Sequence, residues 1–335
     1  MTQQRTIQSM SIPRRTFLQG CAAALASNIG STASAANAAW PTKPIKIVVP
    51  VPAGGSLDIL ARTVAKGLTA ALNQSIIVEN MAGGGSNIAF GYVSKAAPDG
   101  YTLLLGWDSL VINPGLYSSI PYKLDQFAPI SLAITAPQVL LVGPKLPVKN
   151  LKTYMELARK DPDTISLANA GNGSPGHLAG ALLQSRADIR LINVPYKGGA
   201  PAVADLVAGH VDSLMVTLPA AIQHIRAGRV TALGISSAKH SSGAPEILPI
   251  ADAGLPGFDL NSWQGFLAPA GTPAEIINLL NKEMVSILKD PEVRSQLIAE
   301  GFEVVASSPK ALADFIAGST PQWARIIKDS GAKVD

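Results

Sequence analysis

The chain has 335 residues, 47% of them hydrophobic, 15% charged and 5% aromatic, with 30 Gly and 25 Pro scattered along it. That length calls for two domains of ordinary size, and that balance excludes a disordered chain, a charge-rich helical rod and collagen. A single cysteine excludes a disulfide framework and a cysteine-based metal cluster, while the formal net charge of +4 raises the question of an acidic partner.

The surplus charge sits at the N-terminus. Residues 1–38 hold Arg5, Arg14 and Arg15 and no acid, which leaves 24 basic and 23 acidic side chains, a net +1, for the remainder. Nucleic-acid binding loses its electrostatic footprint with that redistribution. Ser11-Ile-Pro-Arg14-Arg15-Thr-Phe17-Leu18 runs into a small-residue apolar stretch, Gly20 to Ala26. Ala33-Ser34-Ala35 and Ala36-Asn37-Ala38 then offer the small side chains a signal peptidase needs. Paired arginines ahead of a weakly apolar run have the form of a twin-arginine export signal, with Pro13 where Ser or Thr is usual. The run is too short to cross a bilayer, which takes about 20 apolar residues. Cys21 follows Leu18-Gln19-Gly20 in imitation of a lipoprotein box but precedes the Ala-rich run, so no lipid anchor is expected. Residues 1–38 are read as a cleaved signal peptide, and the rest as a soluble exported protein.

A strand–loop–helix rhythm follows. Pro44–Pro50 is β-branched and bounded by prolines, a buried strand. After a Gly-rich turn, Asp58–Leu72 places Leu60, Val64, Leu68 and Leu72 on one helical face. Ser75–Glu79, Tyr101–Gly106, Ile130–Ile134 and Gln138–Gly143 read as strands. They are followed by a helix at Asn150–Lys160, a strand at Thr164–Asn169, a helix at His177–Ala187 and a strand at Leu191–Val194. A short helix at Pro201–Ala208 and strands at Val211–Val216 and Val230–Ser236 come next. The last third turns helical. Thr272-Pro273-Ala-Glu275 combines an N-cap, a first-turn proline and a capping-box Glu, and Asp290-Pro291, Ser308-Pro309 and Thr320-Pro321 repeat the cap-then-proline device. Such alternation predicts α/β layers with largely parallel sheets. No linker separates two contiguous domains, so the domains are expected to exchange segments.

In such sheets ligands sit beyond the carboxyl ends of strands, where helix N-termini present free N–H groups suited to an anion. Three Gly-rich loops occupy that position: Pro52-Ala53-Gly54-Gly55-Ser56, Gly171-Asn172-Gly173-Ser174-Pro175-Gly176 and Pro195-Tyr196-Lys197-Gly198-Gly199. Each alone is equally a plain tight turn. The second also fits G-x-G-x-x-G, which keeps open an exported NAD(P)-dependent oxidoreductase using Gly171–Gly176. Against it, the next strand ends in Asn193-Val194-Pro195-Tyr196 and lacks the acid that a dinucleotide ribose requires. No G-x-S-x-G elbow surrounds Ser174 or Ser56, and His177, His210, His224 and His240 lack metal-ligand spacing. His177 suits a ligand hydrogen bond and a helix cap equally. Lys197 is either an anion partner or a solvated loop lysine, and Asp58 and Asp205 stand where an acid stabilises a helix start.

These segments together resemble the Bug receptors, the periplasmic solute-binding proteins of tripartite tricarboxylate transporters. The resemblance runs through Trp40-Pro41 to Pro52-Ala-Gly54-Gly55-Ser-Leu-Asp58, Val78-Glu79-Asn80-Met-Ala-Gly83-Gly84-Gly85, and Ala97-Pro98-Asp99-Gly100-Tyr101. It continues in Ser174-Pro175-Gly176-His177, Val194-Pro195-Tyr196-Lys197-Gly198-Gly199 and Ser262-Trp263-Gln-Gly265 to Thr272-Pro273. It covers residues 40–335 in order. It implies an α/β two-domain clamshell of the type II periplasmic-binding-protein class with two crossovers, near Ser131–Pro137 and Leu233–Ser237. One lobe would comprise 39–136 with 234–335, the other 137–233. It further implies a monomeric periplasmic receptor, not an enzyme, without metal or cofactor. Its ligand would be a small organic carboxylate delivered to membrane permease subunits, or reported to a sensor kinase.

Carried over residue by residue, Pro52, Gly54, Gly55, Ser56 and Asp58 mark the first-lobe loop. Asn169, Gly171, Gly173, Ser174 and His177 mark the second-lobe loop, and Pro195, Lys197 and Gly198 a further lip. Three departures bear on the ligand. Val51 replaces a common aromatic. Trp107, Asp108 and Ser109 bring an indole and a carboxylate to the cleft where small and hydroxyl residues are usual. Met215-Val216-Thr217 replaces a Phe-Asp stretch, deleting a partner for an ammonium group unless Asp108 supplies it. Trp107 either stacks on an aromatic acid or packs within its lobe.

Overall fold

The computed structural model describes residues 40–331. The predicted export signal and its cleavage site lie outside the described residues. In chain order the elements are β1 (Ile45–Val49), α1 (Ser56–Leu72), β2 (Ile76–Asn80), α2 (Asn87–Val93), β3 (Thr102–Trp107), α3 (Ser109–Leu116) and β4 (Phe127–Val142). Then come α4 (Leu151–Lys160), β5 (Ser166–Asn169), α5 (Pro175–Ala187), β6 (Ile192–Pro195), α6 (Gly199–Ala208), β7 (Ser213–Thr217), α7 (Leu218–Arg226) and β8 (Thr231–Ile235). The chain ends with β9 (Asn261–Pro269), α8 (Ala274–Lys289), α9 (Pro291–Ala299), β10 (Glu303–Val304) and α10 (Pro309–Ser330).

Two strand groups share the long strand β4. The order is β2-β1-β3-β9-β4-β7-β5-β6, with β8 and β10 also on β4. From Phe127 to Pro137, β4 runs antiparallel to β9; from Gln138 onward it runs antiparallel to β7 and β8. The chain therefore passes between the two groups twice, once along β4 and once between β8 and β9, giving a two-lobed α/β fold. The two passages are stitched together. The Gln138 backbone N–H donates to Ser236 Oγ (2.8 Å) and the Gln138 side-chain amide to Ser262 Oγ (2.6 Å). Ser236 N–H donates back to Gln138 O (2.8 Å), and Leu260 N–H to Ser236 O (2.9 Å).

The apolar pattern explains most of this. Ile45, Ile47, Val48 and Val49 are buried, as are Leu60, Val64 and Leu68 on the face of α1, which ends at Asn73 in the left-handed region (φ 49°). The second lobe closes around Val139, Leu141, Leu206, Leu214, Val216 and Ile222. Four expectations needed correction. The stretches Ile130–Ile134 and Gln138–Gly143 form one 16-residue strand, because Pro137 falls at the last pairing with β9, opposite Asn261, where it breaks no inner ladder bond. Pairing is parallel only in β2-β1-β3 and β6-β5-β7, and antiparallel wherever the shared strands β4 and β9 take part. Thr272 does not cap α8: its hydroxyl donates to Pro269 O (2.7 Å). Thr320-Pro321 starts no helix either; both residues lie within α10, and the Thr320 hydroxyl donates back to Ile316 O (3.0 Å). Asp290 and Ser308 do cap, accepting from Val293 N–H (3.1 Å) and Ala311 N–H (3.2 Å).

Candidate functional site

The first loop leaves β1 and turns into α1, and a buried carboxylate braces it. Asp58 accepts from Gly54 N–H (3.0 Å), from Arg62 Nε (2.9 Å) and from Asn80 Nδ2 (3.0 Å); the same Asn80 amide holds Val51 O (3.0 Å). Burial pushes this carboxyl up, but the bonds from Arg62, Gly54 and Asn80, together with the Arg62 charge, hold it below the usual carboxylate range. Asp58 is thus a strut within its lobe. It fixes Gly54 in the left-handed region (φ 84°) and sets Gly55 as the N-cap of α1, with no side chain capping the helix.

Trp107 ends β3 and is buried against this loop. Its indole N–H donates to Ser86 Oγ (3.1 Å), which in turn donates to Pro50 O (3.1 Å). Asp108 turns the other way. It is fully buried and accepts from Trp263 N–H (3.1 Å) through Oδ2, while Oδ1 has no partner. Burial pushes its carboxyl up to about 8, against the lowering by Trp263 N–H, Ser262 and Trp323. Ser109 faces the other lobe and donates to Gly173 O (3.1 Å).

The second loop joins β5 to α5 and is largely self-contained. Asn169 accepts from Gly171 N–H (2.9 Å) and donates to Asn193 Oδ1 (2.6 Å). Ser174 caps α5 by accepting from His177 N–H (3.2 Å), and Gly173 N–H donates to His177 Nδ1 (3.4 Å). Burial lowers the His177 pKa, so the ring is neutral with its proton on Nε2. The loop's glycines are taken up by packing. A Cβ on Gly171 would meet Tyr196 O at 2.8 Å, one on Gly173 would meet Asn113 Oδ1 at 2.8 Å, and one on Gly176 would collide with the carbonyl of Met215. That leaves no open cradle for a pyrophosphate. On the further lip, Pro195 and Lys197 are exposed, Tyr196 donates to Asp205 Oδ2 (2.7 Å), and Gly198 lies buried at the start of α6 against the ring of Pro52.

At the cleft the lobes meet through neutral groups, while further out Gln223 Nε2 donates to Glu300 Oε2 (3.2 Å). Thr217 Oγ1 donates to Ser56 Oγ (3.0 Å), and Gln264 Nε2 reaches the same oxygen (3.0 Å). Tyr117 donates to Asn172 O (3.3 Å). Between them lies a small void lined from both lobes. Gly55, Ser56 and Trp107 line it from the sequence-derived set. Asp58, Asp108, His177 and Lys197 do not, nor do Pro52, Gly54, Ser109, Asn169, Gly171, Gly173, Ser174, Pro195 and Gly198. Val51, Val216 and Thr217, noted in the sequence only as departures bearing on the ligand, line it too, and Leu57, Gln138, Ala170 and Ala220 line it and were not among the candidates. A signal for Thr217 existed: Thr217-Leu218-Pro219 follows a strand with a proline in the first turn of α7, a helix start opening onto the cleft. Three helix N-termini converge here without a side-chain cap, at Gly55 for α1, Gly198 for α6 and Thr217 for α7. Together they make a positive, N–H-rich junction. Among the described residues no cluster of His, Cys, Asp and Glu is disposed to hold a metal, and no helix is long and apolar enough to cross a membrane.

Known proteins match this arrangement. The model of the tripartite tricarboxylate transporter family receptor matches residues 60–332. A protein of Pseudomonas sp. strain P51, described by its position in the tcbD-tcbE intergenic region, is 39% identical over 319 residues, covering 95% of this chain and 94% of its own. The solved periplasmic binding protein BugD superposes with a TM-score of 0.84 at 34% identity, over 88% of this chain and 99% of its own. An R. palustris protein solved with adipate gives a TM-score of 0.86 at 32% identity, over 88% and 100%. With its two-lobed fold, its doubly crossed hinge and matches along nearly its whole described length, this chain belongs to the Bug-type receptor family of tripartite tricarboxylate transporters.

Proposed function

We propose that the protein captures a small organic carboxylate between its lobes in the periplasm and presents it to the permease subunits of a tripartite tricarboxylate transporter. It acts as a monomeric, non-enzymatic receptor. Residues 39–137 and β9 onward form one lobe, and Gln138 through β8 with the segment packed on it the other, with residues 1–38 removed on export. The observation that carries this reading is the convergence of three uncapped helix starts, α1 from one lobe and α6 and α7 from the other, on a single interlobe void. Backbone N–H groups at helix starts bind a carboxylate whatever its remainder, and a charge-assisted bond of this kind contributes about 1.5–3 kcal/mol. Two or three of them, with cleft burial, reach the roughly −8 kcal/mol of micromolar binding. Adipate in the R. palustris neighbour fits the same chemistry.

The test is calorimetry and thermal shift on the chain lacking residues 1–38, with acetate, benzoate, succinate, adipate, malate and L-aspartate. At least one carboxylate should bind and raise the melting temperature. Silence with all of them would remove the carboxylate from the proposal.

A further inference from the structure

The walls of the interlobe void carry no charge. Among the described residues, no Lys, Arg, Asp or Glu lines it; away from the glycines and hydroxyls the lining is Val51, Leu57, Trp107, Ala170, Val216 and Ala220, with the one amide of Gln138, which already donates to Ser262 Oγ. The nearby ionisable groups are committed elsewhere. Asp58 is held by Arg62, Gly54 and Asn80, Asp108 is turned onto the Trp263 backbone, and Lys197 is exposed on the lip. Trp107 spends its only polar atom on Ser86, so it offers the void a ring whose orientation is already fixed. Val51 and Leu57 continue that surface on the same lobe, while Val216 and Ala220 face it from the other.

Resting on the reading of this void as the carboxylate site, we infer that its ligand is a monocarboxylate with a flat, apolar body, of the benzoate class. The carboxylate meets the helix starts and the ring lies against Trp107. A second carboxylate would be buried against aliphatic side chains, and an α-ammonium would find no acid to pair with; both charges are costly to bury unpaired. Ring against indole is favourable in geometry as well as in area. A pre-oriented Trp107 loses little freedom when the ligand arrives.

The experiment is isothermal calorimetry on the chain lacking residues 1–38, with benzoate, acetate, succinate and L-aspartate, on the wild type, Trp107→Ala and Trp107→Phe. Acetate reads the carboxylate end alone. Wild type should bind benzoate at least about tenfold more tightly than succinate, L-aspartate and acetate. Trp107→Ala should weaken benzoate about tenfold while leaving acetate within about threefold, and Trp107→Phe should restore most of the loss. Succinate or L-aspartate binding as tightly as benzoate overturns the ligand class and leaves the carboxylate receptor standing. Benzoate binding equally to wild type and Trp107→Ala overturns the stacked wall. If none of the four binds and adipate and malate are silent as well, the carboxylate site itself falls, and this inference with it. The wild-type ranking decides the matter even if Trp107→Ala does not fold.

Discussion

Replacing Asp108 by Asn removes a proton from the folding equilibrium while keeping the shape of the side chain. In the native protein this carboxyl is fully buried, with Oδ2 on Trp263 N–H and Oδ1 unpaired, and burial raises its pKa from 3.8 to about 8. Between those values the folded chain keeps a proton that the unfolded chain releases. Asp108 therefore favours the fold most below the unfolded pKa, and that contribution is lost as pH rises toward about 8. The slope for one proton is about 1.4 kcal/mol per pH unit. From pH 5 to pH 7 the stability of Asp108→Asn relative to wild type should accordingly climb by roughly 3 kcal/mol and level off near pH 8. The amide leaves one edge unpaired, at a cost of about 1–3 kcal/mol that does not vary with pH, so it moves the offset and not the slope. Urea titrations followed by tryptophan fluorescence suit the measurement, since Trp107 adjoins the site and Trp263 and Trp323 contact the carboxyl. Taking the difference between the two proteins cancels every other titrating group. A difference flat from pH 5 to 8 would show that Asp108 is ionised in the fold, and the account of its burial would fail.

Four other substitutions probe the braces and the closing surface. Asp58→Asn should cost about 1–3 kcal/mol at pH 7. Because the folded pKa of Asp58 is depressed, its contribution exists above the ordinary carboxylate range and is lost as pH falls through the folded value. The difference from wild type should therefore shrink below about pH 4, and urea midpoints at pH 7 and pH 3 that differ equally would contradict the strut. Gly198→Ala sets a methyl against the Pro52 ring and should hold the lobes ajar, lowering carboxylate affinity about tenfold in calorimetry with little change in ligand-free melting; unchanged affinity would refute the contact. Gly176→Ala drives a methyl into the Met215 carbonyl and should cost about 1–3 kcal/mol, an effect absent from the urea midpoint if that loop is as open as a dinucleotide cradle. Ser56→Ala removes the oxygen shared by Thr217 and Gln264 and should weaken carboxylate binding about tenfold, whereas affinity equal to wild type would exclude the hydroxyl from closure.

Local periodicity made the strands and helices readable wherever one face alone is buried. Ile45–Val49 and the Leu60, Val64, Leu68 face needed nothing beyond residue spacing. It failed for β4, whose two apolar stretches are one strand because its two halves pair with different neighbours, a long-range property that no window can register. Cap-then-proline pairs worked at Asp290 and Ser308, where the side chain is exposed and free to turn onto the next N–H groups. They failed at Thr272 and Thr320, whose hydroxyls found backbone carbonyls instead. At the site, the Gly-rich loops marked the helix starts correctly. The lining depends on which side chains turn inward, and neighbours decide that. Trp107 and Asp108 are adjacent in sequence, yet the first faces the void and the second the core, because Ser86 holds the indole and Trp263 holds the carboxylate.

The way the lobes meet bears on how a ligand can drive closure. Ser56 with Thr217, Ser109 with Gly173 O and Tyr117 with Asn172 O are neutral hydrogen bonds, and none of the ion pairs among the described residues joins the two strand groups. Each such bond contributes about 1 kcal/mol net, because water competes for the same partners when the cleft is open. Closure without ligand is therefore only marginally favoured or disfavoured. On the proposed reading, a carboxylate at the junction of α1, α6 and α7 would change the balance, since one anion would then accept from both lobes and could do so only when they are together. Two or three charge-assisted bonds contribute about 3–9 kcal/mol, and moving a two-state equilibrium from 1:99 to 99:1 takes about 5.5 kcal/mol. The charge of the proposed ligand would thus be sufficient as the closing force, with no cross-lobe salt bridge required. A receptor built this way should show a ligand-free opening equilibrium that is insensitive to added salt, because no ion pair is broken when the lobes part. A strong salt dependence of that equilibrium, read by small-angle scattering, would place the closing force in charges outside the void.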